Sequence, residues 1–186
     1  MKLTARHHEK FRKTTHHYQG KAVGFRVDQI RLPDGRSRGR EYLTHPGAVG
    51  ALAFTNQGKI LLVKQFRYPV GQFTYEIPAG KLAKGEDPLD CVRRELEEET
   101  GFVAGSMKKL LSFWPTAAFS DEVIHLYIAE KLRPTRMNPD DDEYLELMTV
   151  TPAQLEKMFK KGLVQDSKTL IAYLAWRNRV SSSTRR

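Results

Sequence analysis

The stretch from Asp87 to Gly101 constrains the fold of this chain more than any other. Asp87 is a capping residue, Pro88 follows at a first helical position, and Leu89, Val92 and Leu96 recur at helical spacing up to Thr100-Gly101. A proline at the start and a glycine at the end fit only a helix that begins and stops there. Strand-like runs surround it. Val23, Phe25 and Val27 alternate from Ala22, the phase shifts to Ile30 and Leu32, Pro33-Asp34-Gly35 signals a turn, and Arg40 to Thr44 reads as the returning strand. Ala48–Phe54 and Lys59–Phe66 are apolar strands that Asn56-Gln57-Gly58 joins as a hairpin. Phe73–Ile77 is a further short strand, stopped by Pro78.

Strands are also expected at 107–114, 122–129 and 144–150, then two helices. One opens at Thr151 or Pro152 and runs to Lys161, and the other is capped by Asp166 or Ser167 and runs to Arg179. Strands over the first two-thirds, with helices between and after them, predict an α/β class: a mixed sheet with helices on its faces. A hydrophobic content of 40% is enough for a real core in one domain.

Charge looks at first like a nucleic-acid signal, because the chain carries a net +9. The excess sits at the ends: residues 1–20 hold a net +4, residues 177–186 another +4, and the long middle only +1. Basic ends on a near-neutral body read as solvated tails, so nucleic acid is the minority reading. His7, His8, His16 and His17 lie in the first of these, which is expected to be a flexible or surface arm rather than a metal site. Cys91 is the single cysteine, so no intrachain disulfide is possible. With a polar N-terminus and no apolar run of membrane-spanning length, this points to a cytoplasmic protein without membrane attachment.

The chemistry is concentrated in GKLAKGEDPLDCVRRELEEETGF, residues 80–102. Glu95, Glu98 and Glu99 stand at i, i+3 and i+4, so their carboxylates share one helix face. Like charges at that spacing destabilise a helix by about 0.2–0.5 kcal/mol per pair, a conflict that a divalent cation removes. Hard oxygen ligands suit Mg²⁺, which also bridges to phosphates, with Mn²⁺ as a possible substitute. Arg93 or Arg94 can reach back to orient a glutamate. Glu97 reads as plain solvated surface.

This segment resembles the signature of the Nudix hydrolase family: Gly, five residues, Glu, seven residues, Arg-Glu, an aliphatic, any residue, Glu-Glu, any residue, Gly, an apolar residue. Gly80, Glu86, Arg94-Glu95, Leu96, Glu98-Glu99, Gly101 and Phe102 supply every position. The resemblance implies a Nudix-type α/β/α sandwich in which Glu95, Glu98, Glu99 and the Ala79 carbonyl bind Mg²⁺. It makes Glu98 and Arg94 part of the catalytic set, and Glu86 a brace between loop and helix. The implied reaction is attack of water on one phosphorus of a diphosphate.

Flanking runs narrow the branch. HPGAV (45–49), QFRYPV (65–70), YEIPAGK (75–81) and FSDE (119–122) are similar to those of hydrolases of ADP-ribose and related nucleoside diphosphate sugars. That similarity implies that Arg67, Glu76 and Lys81 bind substrate, and that Glu143, or secondly Asp141, acts as general base or extra metal ligand from the acidic run 140–143. Tyr42, Phe66, Tyr68 and Phe119 are the aromatics available to stack on a base. Thr116-Ala117-Ala118 stands where ADP-ribose-specific relatives carry Ser-Pro-Gly, which favours a broader range including GDP-mannose and ADP- or UDP-hexoses. A homodimer is implied as well, with strands in 20–45 reaching the other subunit's site and Arg40 touching nucleotide there. The expected organisation is a basic arm (1–19), dimerising strands (20–45), a catalytic domain (46–179) and a tail (180–186). The competing readings are a Nudix hydrolase of dinucleoside polyphosphates, nucleoside triphosphates or capped RNA, and a non-catalytic Nudix-fold binding module.

Overall fold

The structure, a computed structural model, describes residues 8–138 and 144–183, and it divides into two units. The smaller comprises residues up to Pro46 together with Trp114–Val123; the larger comprises Gly47–Phe113 and the chain from Ile124 onward.

In the smaller unit β1 (Lys10–Gln19), β2 (Gly24–Arg31) and β3 (Ser37–Thr44) form an antiparallel sheet in that order. The β2–β3 turn falls at the expected Pro33-Asp34-Gly35, where the Leu32 N–H donates to the Arg36 carbonyl at 2.8 Å and Gly35 takes a φ of 87°. Within the expected flexible or surface arm at 1–19, residues 10–19 form β1, a strand that the sequence reading did not include. Its sequence, KFRKTTHHYQ, has no apolar alternation and is exposed almost throughout, so nothing in its pattern marks a strand. Backbone pairing to β2 and one buried acid hold it instead: Asp28 accepts hydrogen bonds from Thr14 on β1 (2.7 Å) and Tyr42 on β3 (2.8 Å). Asp28 thereby stitches three strands through one carboxylate, whose pKa is lowered by those bonds. Phe11, Tyr18, Val23 and Phe25 remain exposed.

The larger unit holds two sheets. One has the order β10–β5–β6, from β5 (Ile60–Arg67), β6 (Gln72–Glu76) and β10 (Glu146–Val150). The other has the order β7–β4–β9–β8, from β4 (Ala48–Ala53), β7 (Ala79–Lys81), β8 (Phe102–Phe113) and β9 (Ile124–Pro134). β4 and β9 run parallel; the remaining pairs are antiparallel. α1 is Pro88–Thr100, α2 is Pro152–Lys160 and α3 is Ser167–Ser183.

Alternation along β4 shows how the layers stack. Ala48 and Leu52 face a core with Leu155 of α2 and Tyr173 of α3, while Val49, Ala51 and Ala53 face a second core with Cys91, Val92 and Leu96 of α1. Ile60 and Leu62 against Leu61 repeat that division on β5. Strands buried on both faces between helical layers make an α/β/α sandwich, as the sequence predicted.

Two expectations fail here. The runs 48–54 and 59–66 are not a hairpin: β4 and β5 belong to different sheets, and among the described residues the two runs pair only at the isolated bridge Phe54–Ile60. The turn is present, but β4 is saturated by β7 and β9, so the chain changes sheet at the corner. α3 also continues to Ser183, past the expected stop at Arg179. Among the described residues no helix is long and apolar enough to cross a membrane.

Candidate functional site

α1 has the caps that its sequence prescribes. Asp87 Oδ1 accepts the Leu89 N–H at 2.8 Å, Pro88 opens the first turn, and Gly101 closes the last at a φ of 68° with its N–H on the Glu97 carbonyl at 2.8 Å. With Cys91, Val92 and Leu96 fixed in the core, the helix has no rotational freedom, and its next face is the acidic one.

Arg94 organises that face. Its Nε and Nη2 fork onto Glu86 at 3.1 and 3.2 Å, and its Nη1 lies 2.9 Å from both Glu95 Oε1 and Glu98 Oε2. Glu86 also accepts the Ala83 N–H at 2.8 Å, and the Arg94 fork together with this bond holds its carboxyl down at about 2. Glu86 therefore braces the loop against the helix. Arg93 points elsewhere, toward Asp90 at 3.6 Å. Glu99 is 2% exposed and takes the Ala79 N–H at 3.0 Å, which ties α1 to β7. Glu97 is more than solvated surface, since Thr135 donates to it at 3.2 Å.

The cation conflict inferred from the sequence is thus met in part by a protein group. Arg94 lies between Glu95 and Glu98, Glu99 is turned to a backbone amide, and among the described residues no three acidic, His or Cys side chains converge as a ready metal centre. The donor set nevertheless fits a hard divalent cation. It consists of carboxylate oxygens on one helix face, and Gly80 makes room for it, since a Cβ there would fall 1.9 Å from Glu95 Cδ. Glu95 lies against bare backbone that no other residue could offer.

A second charged cluster lies at the end of β5 and β6. Arg67 Nε and Nη2 bond Glu76 Oε1 and Oε2, each at 2.7 Å. Thr74 donates to Glu76 Oε1 at 2.6 Å and Lys168 to Oε2 at 3.0 Å. Burial pushes the Glu76 carboxyl up, but the Arg67 fork, the Lys168 charge and the Thr74 bond overcome it and hold the group at about 2. Glu76 is 2% exposed, so it does not face solvent. Arg67 is held charged chiefly by Glu76, with Asp166 and Glu99 adding weaker attraction, so this cluster and α1 act on each other. Sequence reasoning named Asp166 only as a helix cap and did not name Lys168 at all; Lys168 bonds Asp166 at 2.6 Å as well.

The other expected residues are distributed as follows. Lys81 ends β7 with its side chain exposed, while its carbonyl accepts the Cys91 thiol at 3.4 Å. Arg40, in the smaller unit, pairs with Glu9 on the surface. Glu143 and Asp141 lie outside the described residues. Phe66 packs edge-on against Phe73 at 5.5 Å, Tyr68 is 88% exposed, and Tyr42 is committed to Asp28.

A layered α/β/α unit with a capped glutamate helix and an arginine-braced loop defines a class, and the comparison with known families agrees: residues 44–174 match the NUDIX domain, and the chain belongs to the Nudix family. Among curated relatives it is 43% identical to the methanol dehydrogenase activator of Bacillus methanolicus over 166 residues, which covers 88% of this chain and 90% of that protein. It is also 43% identical to the ADP-ribose pyrophosphatase of Bacillus subtilis (strain 168) over 157 residues, 83% of this chain and 85% of the relative. A solved structure described as an ADP compounds hydrolase superposes with a TM-score of 0.84 at 15% identity, over 99% of this chain and 100% of that one, a likeness of fold.

Proposed function

We propose that this protein is a divalent-cation-dependent pyrophosphohydrolase that cleaves the diphosphate of nucleoside diphosphate sugars, ADP-ribose and GDP-mannose among them, to nucleoside monophosphate and sugar phosphate. The observation that carries this reading is the acidic face of α1, organised around Arg94 and cradled at Gly80, in electrostatic reach of the Arg67–Glu76 fork. Such a pairing places hard oxygen donors beside a cationic donor suited to phosphate. The Bacillus subtilis relative's name supports the substrate class.

Glu95, Glu98, Glu99 and the Ala79 carbonyl are the residues that would hold Mg²⁺ or Mn²⁺. When bound, the cation supplies charge neutralisation on the phosphoryl oxygens and acidifies water. Arg94 keeps Glu95 and Glu98 aimed, and Glu86 keeps Arg94 in place. Glu99 fixes β7 to α1. Arg67 binds the diphosphate, and Glu76 fixes the plane of its guanidinium; Lys81 supplies a further positive charge. Glu143, or Asp141, takes the proton from the attacking water. The working division is a catalytic domain at 46–179 and strands in 20–45 that pair two subunits in a cytoplasmic homodimer, with Arg40 reaching nucleotide across the interface. The exposed Phe11, Tyr18, Val23 and Phe25 support that pairing, and a monomer in sedimentation at working concentration would overturn it.

The test is a substrate panel with Mg²⁺: ADP-ribose, GDP-mannose, UDP-glucose, a diadenosine polyphosphate and a nucleoside triphosphate, each with wild type and Glu98→Gln. Release of nucleoside monophosphate and sugar phosphate by wild type, and its loss in Glu98→Gln, is the expected result. Turnover confined to triphosphates or dinucleotides would overturn the substrate class.

A further inference from the structure

We infer that Lys168 is a positioning residue of this site: from the first turn of α3 it holds Glu76, and through Glu76 it aims the Arg67 guanidinium at the diphosphate of the substrate. The inference rests on the diphosphate-hydrolase reading and adds a residue from the far end of the chain.

Lys168 is not required by the cap of α3. Asp166 already caps that helix, its Oδ2 accepting the Thr169 N–H at 2.8 Å and the Thr169 hydroxyl at 2.7 Å. The Lys168 ammonium lies on the other oxygen, Oδ1, at 2.6 Å, and from there reaches Glu76 Oε2 at 3.0 Å. Its side chain is only 15% exposed. Burial works against its charge, and the two carboxylates outweigh it. A lysine held this way spans two acids rather than decorating a surface.

The structural consequence falls on the segment Glu76–Ala79, which joins β6 to β7. Three side chains from distant elements fix it: Lys168 on the Glu76 carboxylate, Thr169 Oγ1 on the Ile77 N–H at 2.8 Å, and Glu99 on the Ala79 N–H at 3.0 Å. The α3 turn that carries Lys168 and Thr169 therefore buttresses the same segment that α1 grips.

The consequence for substrate follows from how Arg67 spends its donors. Nε and Nη2 are committed to Glu76, and a doubly bonded guanidinium cannot rotate about its last bond. Its Nη1 edge is thus presented in a fixed direction on a side chain that remains 42% exposed. Arg67, Glu76, Lys168 and Asp166 together carry two positive and two negative charges. Removing Lys168 leaves the Glu76 carboxylate without one of its cations and loosens the group that fixes Arg67, so the effect on substrate passes through the aim of the Arg67 guanidinium.

The experiment is steady-state kinetics of Lys168→Met on the best substrate that wild type turns over in the panel, alone and on an Arg67→Gln background, with melting temperatures alongside. A wrong substrate class shows in the wild-type panel, whereas a wrong role for Lys168 shows in the variant comparison. KM is expected to rise about tenfold with kcat within about threefold, since a lost uniform binding interaction appears in KM. On Arg67→Gln the same change should add less than about twofold, the non-additivity of residues acting through one another. Lys168→Arg, which keeps the charge, should recover most of the KM, and Lys168→Gln provides a second neutral variant. Unchanged KM in both neutral variants, or the same tenfold rise on Arg67→Gln, would overturn the proposal. A purely structural lysine would lower the melting temperature and the active fraction while leaving KM alone.

Discussion

Gly80→Ala separates the chemistry of the site from the stability of the fold. Gly80 pairs with Val49 in the β7–β4 ladder and is not among the glycines of positive φ, so the backbone accepts alanine. The new Cβ would meet Glu95, falling 1.9 Å from its Cδ and 2.0 and 2.3 Å from its two oxygens. A carboxylate at those distances must leave. The obstacle is the far end of a flexible side chain, so Glu95 changes rotamer rather than displacing the sheet, at about 0.5–1.5 kcal/mol. Its contact with the partly exposed Arg94 goes too, worth about 0.5–1 kcal/mol after solvent screening. A loss of about 1–2 kcal/mol lowers the melting temperature of a domain this size by about 3–6 °C. The effect on metal is larger, because displacing one group that ligates or orients a metal typically weakens affinity about 10–100-fold. The assay is the Mg²⁺ concentration for half-maximal turnover, with melting followed without metal. Half-saturating Mg²⁺ within about twofold of wild type would refute the placement of Glu95 as a ligand. A melting drop well beyond 10 °C, roughly twice the expected loss, would refute the argument that only a side chain moves.

Glu76 is ionised down to about 2 in the folded protein against an ordinary 4.5, so the unfolded chain takes up the proton first as pH falls. Its contribution is complete above about 4.5 and is lost toward about 2; Glu76→Gln, less stable at neutrality, should flatten the fall in urea midpoint across that window. Arg94→Gln leaves Glu86, Glu95 and Glu98 without their shared cation. Millimolar Mg²⁺ should therefore raise its melting temperature by about 3 °C more than that of wild type, and an equal response would refute the compensation. The Cys91 thiol, buried and pushed up to about 12 first by that burial, should resist iodoacetamide in the folded protein and react in urea; labelling at equal rates would show that the α1 core opens.

What could be read from the sequence was what is local. The ends of α1 follow from Asp87, Pro88 and Gly101 because capping is settled within one turn, and α2 begins at Pro152 for the same reason, its cap Thr151 and Gln154 capping each other. β1 could not be read, since KFRKTTHHYQ is held by a ladder to β2 and by Asp28 and not by a buried face of its own. The hairpin reading of 48–66 failed on a similar ground. Residues buried on both faces say that a strand is central, but not which strands flank it, and that choice is made by β9, far along the chain.

The site divides along the same line. Arg94 and Glu98 are one helical turn apart, so their partnership is visible in spacing, and the structure bears out the signature's choice of Arg94 over Arg93, which points toward Asp90. Glu76 and Lys168 are separated by 92 residues, and no local pattern joins an acid at a strand end to a lysine beside a helix cap. Their partnership arises because Ile77 and Tyr173 share one core, which brings the start of α3 against the end of β6. Glu99 and Thr169 then hold the segment Glu76–Ala79 from opposite sides, through the Ala79 and Ile77 amides. A change at the α3 cap is therefore transmitted first to Arg67 and next, through Ala79, to the glutamates of α1. Substrate binding should suffer from such a change before metal binding does.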